Sequence, residues 1–118
     1  MGFNLEIIKK PTTLAQIKKH ADEDFWDFTK AVVDINNIIM VVWGELHADE
    51  ESILLQQGSK QDDLRWINIY PEYIGTKDYI EFDSMINIRP RQNNHSRSVE
   101  NQSIRHKIEE IVHLLIKQ

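Results

Sequence analysis

The stretch "KAVVDINNIIMVVW", Lys30–Trp43, decides the fold, because two β-branched runs flank a polar centre at Asp34–Asn37. β-Branched side chains suit a pleated surface, and an Asn-Asn pair tolerates the positive φ that tight hairpin turns demand. The stretch therefore predicts an antiparallel hairpin turning at Asn36-Asn37. Its second arm, Ile38 to Trp43, is apolar at successive rather than alternate positions, the pattern of a strand covered on both faces. Helices supply one cover. The other is either a further element of this chain or a second copy of it, which makes a homodimer an expectation.

Toward the N-terminus, "NLEIIKKP" (Asn4–Pro11) carries Leu5, Ile7 and Ile8 and stops at proline, as a short edge strand does. Thr13 followed by Gln16 matches a capping box, and Leu14, Ile17 and Ala21 form the apolar stripe of the helix it opens. Phe25, Trp26 and Phe28 are the anchors of the acidic stretch that follows.

Toward the C-terminus, Gly44 suits a bulge at the strand end. Asp49 suits an N-cap for "EESILLQQ", with Glu50 and Glu51 at the positive end of the helix dipole and Gly58 as the stop. "LRWINIYP" (Leu64–Pro71) and "YIEFDSMINIRP" (Tyr79–Pro90) alternate as strands, joined through a flexible point at Gly75. Ile104, Ile108, Ile111, Val112 and Leu115 recur at helical spacing, so Ser103–Lys117 is an amphipathic helix, with His106, Glu109, Glu110, His113 and Lys117 on its wet face. The expected fold is α+β: a mostly antiparallel five-stranded sheet with three helices mainly on one side, in the order βαββαββα.

A chain of 118 residues encloses one core, so residues 1–118 form a single domain. Its 41% hydrophobic and 28% charged content, with three prolines and four glycines, is that of a globular protein and not of a disordered tail. The formal net charge of -5 argues against bulk binding to duplex DNA, which requires phosphate neutralisation by Lys and Arg. The absence of cysteine excludes disulfides, thiolate nucleophiles and cysteine-ligated metals. With no long apolar span and no signal-like start, a cytoplasmic location without membrane partners is expected.

The segments "GELHADEE", "LLQQGSKQDDL", "INIYP" and "IEFDSMINIRPRQ" together resemble the signature of an uncharacterised family of small prokaryotic proteins, the domain of unknown function numbered 5674, from about Ala31 to the C-terminus. The resemblance brings no activity, substrate or catalytic residue. It does imply that Trp43 and Trp66 stand where glycine is usual and His95 where arginine is, so that a neighbouring pocket is narrower or differently charged.

Three polar groups qualify for chemistry. Glu45 and His47, at i and i+2 on an extended chain, would point the same way about 7 Å apart, which suits an acid-base pair in which Glu45 orients His47. A frayed strand end would also explain them. No cofactor is predicted; a divalent metal at this pair would need a third ligand, from Asp49 or Asp83. His106 and His113 lie two helical turns apart, too far to share an ion.

The second group is the loop "RPRQNNHSRSVENQ". Arg89, Arg91 and Arg97, with Asn93 and Asn94, suit a clamp on a phosphate or carboxylate, or else pairing with Asp62, Asp63 or Glu81. The third comprises Lys60 and a floor in which Trp66, Asn68 and Tyr70 would be continuous with Asp83, Asn87 and Arg89 if the strand register allows. No glycine-rich phosphate cradle or dinucleotide fingerprint is present, which argues against an ATPase or a nicotinamide enzyme. The expected function is binding, with or without turnover, of a small anionic or phosphate-bearing ligand or an RNA end; the alternative is a non-enzymatic, homodimeric interaction module.

Overall fold

A computed structural model describes residues 6–23, 27–42, 47–84, 87–92, 94–96 and 98–118. In chain order these form β1 (Glu6–Ile8), β2 (Thr12–Thr13), α1 (Leu14–Glu23), β3 (Thr29–Asp34), β4 (Ile39–Val42), α2 (His47–Gln56), β5 (Leu64–Ile69), β6 (Ile80–Glu81), α3 (Gln102–Leu115) and β7 (Ile116–Lys117). Strands β1-β4-β3-β5-β6 make one antiparallel sheet, while β2 and β7 pair in parallel beside it. This is the α+β fold expected, with two further strands of two residues each. Leu5, Phe25, Trp26, Trp43 and Gly44, singled out above, lie outside the described residues.

The sheet is dry on both faces. Ala31 and Val33 of β3, Met40 and Val42 of β4, and Ile67 and Ile69 of β5 pack with Ile17 of α1 and with Ile108, Ile111, Val112 and Leu115 of α3. The intervening residues Val32, Val41, Leu64 and Trp66 face the other way and pack with Ile53 and Leu54 of α2. Both sets follow from the two-residue period of a strand. The second cover of the β4 strand is therefore α2 of the same chain, and the burial that made a second copy attractive is satisfied internally. Among the described residues no helix is long and apolar enough to cross a membrane.

The β3–β4 connection forms a hairpin, but its geometry differs from the expectation at one residue. The positive φ, 56°, belongs to Ile38 and not to the Asn36-Asn37 pair. The cause is Asp34, whose side chain is fully buried. One carboxylate oxygen accepts from the amides of Asn36 and Asn37 at 2.9 Å each; the other accepts from the Asn37 side chain at 2.8 Å and the Ser59 hydroxyl at 2.6 Å. Winding the backbone around this carboxylate leaves the last turn residue to reverse the chain, with the Ile38 amide donating to the Asp34 carbonyl at 3.0 Å.

The hydroxyl half of the expected capping box forms at α1: the Gln16 amide donates to the Thr13 hydroxyl at 3.2 Å. Helix α2 starts at His47, two residues before the expected Asp49 cap, so Asp49 lies within its first turn. Its end follows the expectation. Gly58, at φ 98°, completes a Schellman motif in which the Ser59 amide donates to the Leu54 carbonyl and the Gly58 amide to that of Leu55. The motif delivers the Ser59 hydroxyl to Asp34, tying the helix end to the hairpin. Helix α3 begins at Gln102, capped by the Asn101 side chain, which accepts from the Ile104 amide at 3.1 Å.

The largest departure concerns Tyr79–Pro90. Among the described residues of that range only Ile80–Glu81 is strand; it pairs with β5 through Asn68↔Glu81 and Ile69↔Ile80. Farther along the same edge of β5, the Asn87 side chain replaces a strand. Its oxygen accepts from the Trp66 amide at 3.1 Å and its nitrogen donates to the Trp66 carbonyl at 2.9 Å. A primary amide offers the same donor and acceptor as a peptide group, so the chain can leave the sheet without orphaning that edge.

Two outcomes are expected. Asp34→Asn should cost about 1–3 kcal/mol by exchanging an acceptor oxygen for a donor opposite Ser59 and Asn37, read as a lower urea midpoint at unchanged slope. Burial pushes the Asp34 carboxyl up, but the bonds from Ser59, Asn37 and Asn36 together hold it below its ordinary 3.8. Its contribution is thus present at neutral pH and lost as pH falls through the depressed folded value, a loss the variant should lack. In turn, Ile38→Asn should raise stability by about 0.5–1 kcal/mol, because asparagine tolerates the left-handed region better than a β-branched residue; a lowered melting temperature would contradict this.

Candidate functional site

On the α2 side of the sheet, the register aligns Lys30 with Asn68 and Asn68 with Glu81, giving a polar row across β3, β5 and β6. His47 lies over this row. Its Nε2–H donates to the Ile67 carbonyl at 2.9 Å, which leaves Nδ1 as the free ring nitrogen. Burial pushes the imidazole below its ordinary 6.5; the bond to Ile67 opposes that, Lys30 adds to it, and Asp83 opposes it. His47 is the first residue of α2 among the described residues, and its proposed partner Glu45, with the i, i+2 geometry expected of the pair, lies outside them.

Lys30 of this row and Glu50 of α2 are residues to which the sequence analysis assigned no site chemistry. Glu50 is fully buried, and its charge reaches Lys30, which burial holds below its ordinary value. Lys30 also stands 5.1 Å above the Phe28 ring. The Asn68 side chain donates to Glu81 at 2.8 Å, and its oxygen is buried with no hydrogen-bond partner. The signal for Lys30 was its place inside an otherwise apolar strand; Glu50 had looked like a surface residue serving the helix dipole. Among the described residues no three His, Asp or Glu side chains come together to hold a metal; the expected pair with Asp49 or Asp83 as third ligand includes Glu45, which lies outside them.

The expected floor is partly assembled. Trp66, Asn68, Asn87 and Arg89 do meet along β5, but Trp66 is fully buried beneath Arg89, whose guanidinium carbon is 4.5 Å from the indole centroid. Trp66 thus fills space beneath the guanidinium and lines neither wall nor floor of the hollow beside Arg89. Asn87, expected to bind ligand, is 1% exposed and bonded to the Trp66 backbone. Asn94 is similarly engaged: its nitrogen lies within 3.0 Å of the carbonyls of Asn87, Ser96 and Ser98, and its oxygen accepts from the Glu100 amide at 2.7 Å. Both asparagines shape the loop and leave no polar edge to offer.

The loop brings Arg89 and Arg91 to a hollow of about 240 Å³, closed by Gln61, Asp62, Pro90 and Gln92. Arg89 is fixed by its stack on Trp66, by a 3.2 Å bond from Nη1 to Gln92, and by reciprocal backbone bonds between residues 89 and 94. Its Nη2 is buried with no hydrogen-bond partner, and no carboxylate lies within ion-pair distance of Arg89 or Arg91 among the described residues. Burial holds Arg89 below its ordinary value, while the more distant Glu51 and Asp62 pull it back. Arg65, 7% exposed, is held below its ordinary value by burial and by the charge of Arg89, and donates to the Asp62 and Leu64 carbonyls at 2.8 Å each. Arg97 and Asn93 lie outside the described residues. Lys60 is exposed nearby in sequence, and His47 does not line this hollow.

Two measurements check these placements. Replacing Asn87 with leucine should cost about 1–3 kcal/mol and accelerate hydrogen exchange at the Trp66 amide, whose partner is lost. For His47, the folded state takes up the proton less readily than the unfolded chain. Stability is therefore complete above pH 6.5 and declines as pH falls through it toward the lower folded value. Melting curves at pH 7.5 and about 5.5 should show a smaller drop for His47→Gln than for the parent.

The comparisons with known proteins add kinship without chemistry. Neither a curated protein nor a solved structure matches the chain. A family model described as "Protein of unknown function (DUF5674)" matches residues 6–115, extending the resemblance read from Ala31 onward back to the first strand. With nearly its whole length matched, from β1 to the end of α3, the chain belongs to the DUF5674 family.

Proposed function

We propose that the protein binds the phosphate or carboxylate group of a small ligand at the Arg89/Arg91 hollow. One observation carries this reading: two guanidiniums with no carboxylate partner among the described residues line a single concavity, and the inner one has a buried donor left over. Leaving a buried guanidinium donor unmet costs free energy that an anion would recover, and a planar fork matches the oxygens of phosphate or carboxylate. Asp62 on the rim would repel a bare dianion but would accept from a hydroxyl beside it, which favours a sugar phosphate or an RNA end over inorganic phosphate. The hollow admits the charged end of such a ligand and not its whole body.

Binding is the part of the reading that the geometry supports. Turnover would require His47, whose ring donates to a backbone carbonyl and is absent from the lining of this hollow. Ribose 5-phosphate should raise the melting temperature by mass action, equivalent to about 2.7 kcal/mol at a hundredfold excess over Kd. Arg91→Ala, a change at an exposed side chain, should abolish that rise while leaving the unliganded melting temperature unchanged. An equal rise in parent and variant, or none in either, refutes the proposal.

A further inference from the structure

A second hollow, of about 390 Å³, lies between the residues around β6 and the start of α3 and shares no residue with the arginine corner. Tyr70, Tyr73 and Phe82 supply aromatic walls, and two pairs of opposite charges surround them: Lys77 and Arg105, Asp78 and Glu81. One member of each sign is held in place. The Arg105 guanidinium stacks 4.6 Å from the Phe82 centroid and donates to the Val99 carbonyl and the Ser98 hydroxyl. Glu81 accepts from Asn68 at 2.8 Å and from the Tyr70 hydroxyl at 3.4 Å.

Among the described residues none of these four charges forms an ion pair, although all border the same space. Opposite charges lining one concavity without meeting stand farther apart than ion-pair distance, so both signs remain open to a ligand in that space. A simple anion in this space would bring its charge near two carboxylates, and a simple cation near two basic groups; a ligand carrying both signs matches the mixed lining. Its body would rest on the aromatic faces, which also attract an ammonium. The volume falls within the range of small-molecule sites, and the fixed Arg105 and Glu81 lower the ordering cost of binding.

We infer that this hollow is a binding site for a small zwitterion, a free α-amino acid with an aromatic or long apolar side chain. Its carboxylate meets Arg105 and Lys77, its ammonium meets Glu81 and Asp78, and its side chain lies along Tyr73 and Phe82.

The test is an amide NMR titration of the full chain with L-phenylalanine. Parallel titrations use phenylacetate, phenethylamine and N-acetyl-phenylalanine amide, which lack the ammonium, the carboxylate and both charges in turn. Saturable shifts confined to residues 70–82 and the start of α3 are expected, with each altered probe binding about tenfold more weakly or worse. Lys77→Gln and Asp78→Asn should each weaken L-phenylalanine about tenfold. Both side chains are exposed and without partners among the described residues, so these variants fold. No saturable shift up to about 20 mM overturns the inference, as does phenylacetate or the uncharged amide binding as well as L-phenylalanine, or both variants binding like the parent.

Discussion

A single buried carboxylate organises the centre of this fold. Asp34 sits at the end of β3 with no exposure, and its two oxygens gather the amides of the β3–β4 turn on one side and the Ser59 hydroxyl beyond α2 on the other. A charge taken out of water survives only when its lone pairs are occupied, and here hydrogen bonds do that without a cation. The consequence is positional. Because the C-terminal end of α2 is tied to the hairpin, Ile53 and Leu54 come down on Val32, Val41, Leu64 and Trp66, closing the second face of the sheet.

The polar groups collect where the sheet runs out. Strand β6 has two residues, and beyond it the edge of β5 is completed by the Asn87 side chain, which frees the following backbone to turn back over Trp66. That path sets Arg89 on the indole and carries Arg91 to the rim of the neighbouring hollow. On the opposite flank of β6, the same early exit leaves Phe82 as the platform for Arg105. The two hollows are thus products of one event, the replacement of a strand by a loop with a surrogate peptide group at its start.

Much of the scaffold was legible in one dimension. The β3–β4 hairpin, the Thr13 hydroxyl cap, the stop at Gly58 and the stripe of the last helix are local features whose spacing maps directly onto backbone geometry. The reading failed where a side chain took over a backbone role. Alternation through Tyr79–Pro90 reads as a long strand, yet the pairing it implies is supplied by Asn87, and periodicity carries no mark of that exchange. Likewise the Asn36-Asn37 pair suggested a left-handed turn, but the preceding Asp34 captured both amides and displaced the positive φ to Ile38.

What the amino-acid order determined by itself is the set of elements and their two-sided burial, because hydrophobic periodicity and capping act within a few residues of each other. Which helix would cover which face, and that α2 removes the need for a second copy there, was decided only in three dimensions. The candidate sites belong to the second category. Arg89, Arg91 and Gln61 of one hollow, and Tyr70, Glu81 and Arg105 of the other, are brought together by strand register and loop path. These depend on contacts between distant segments, and local spacing does not encode them.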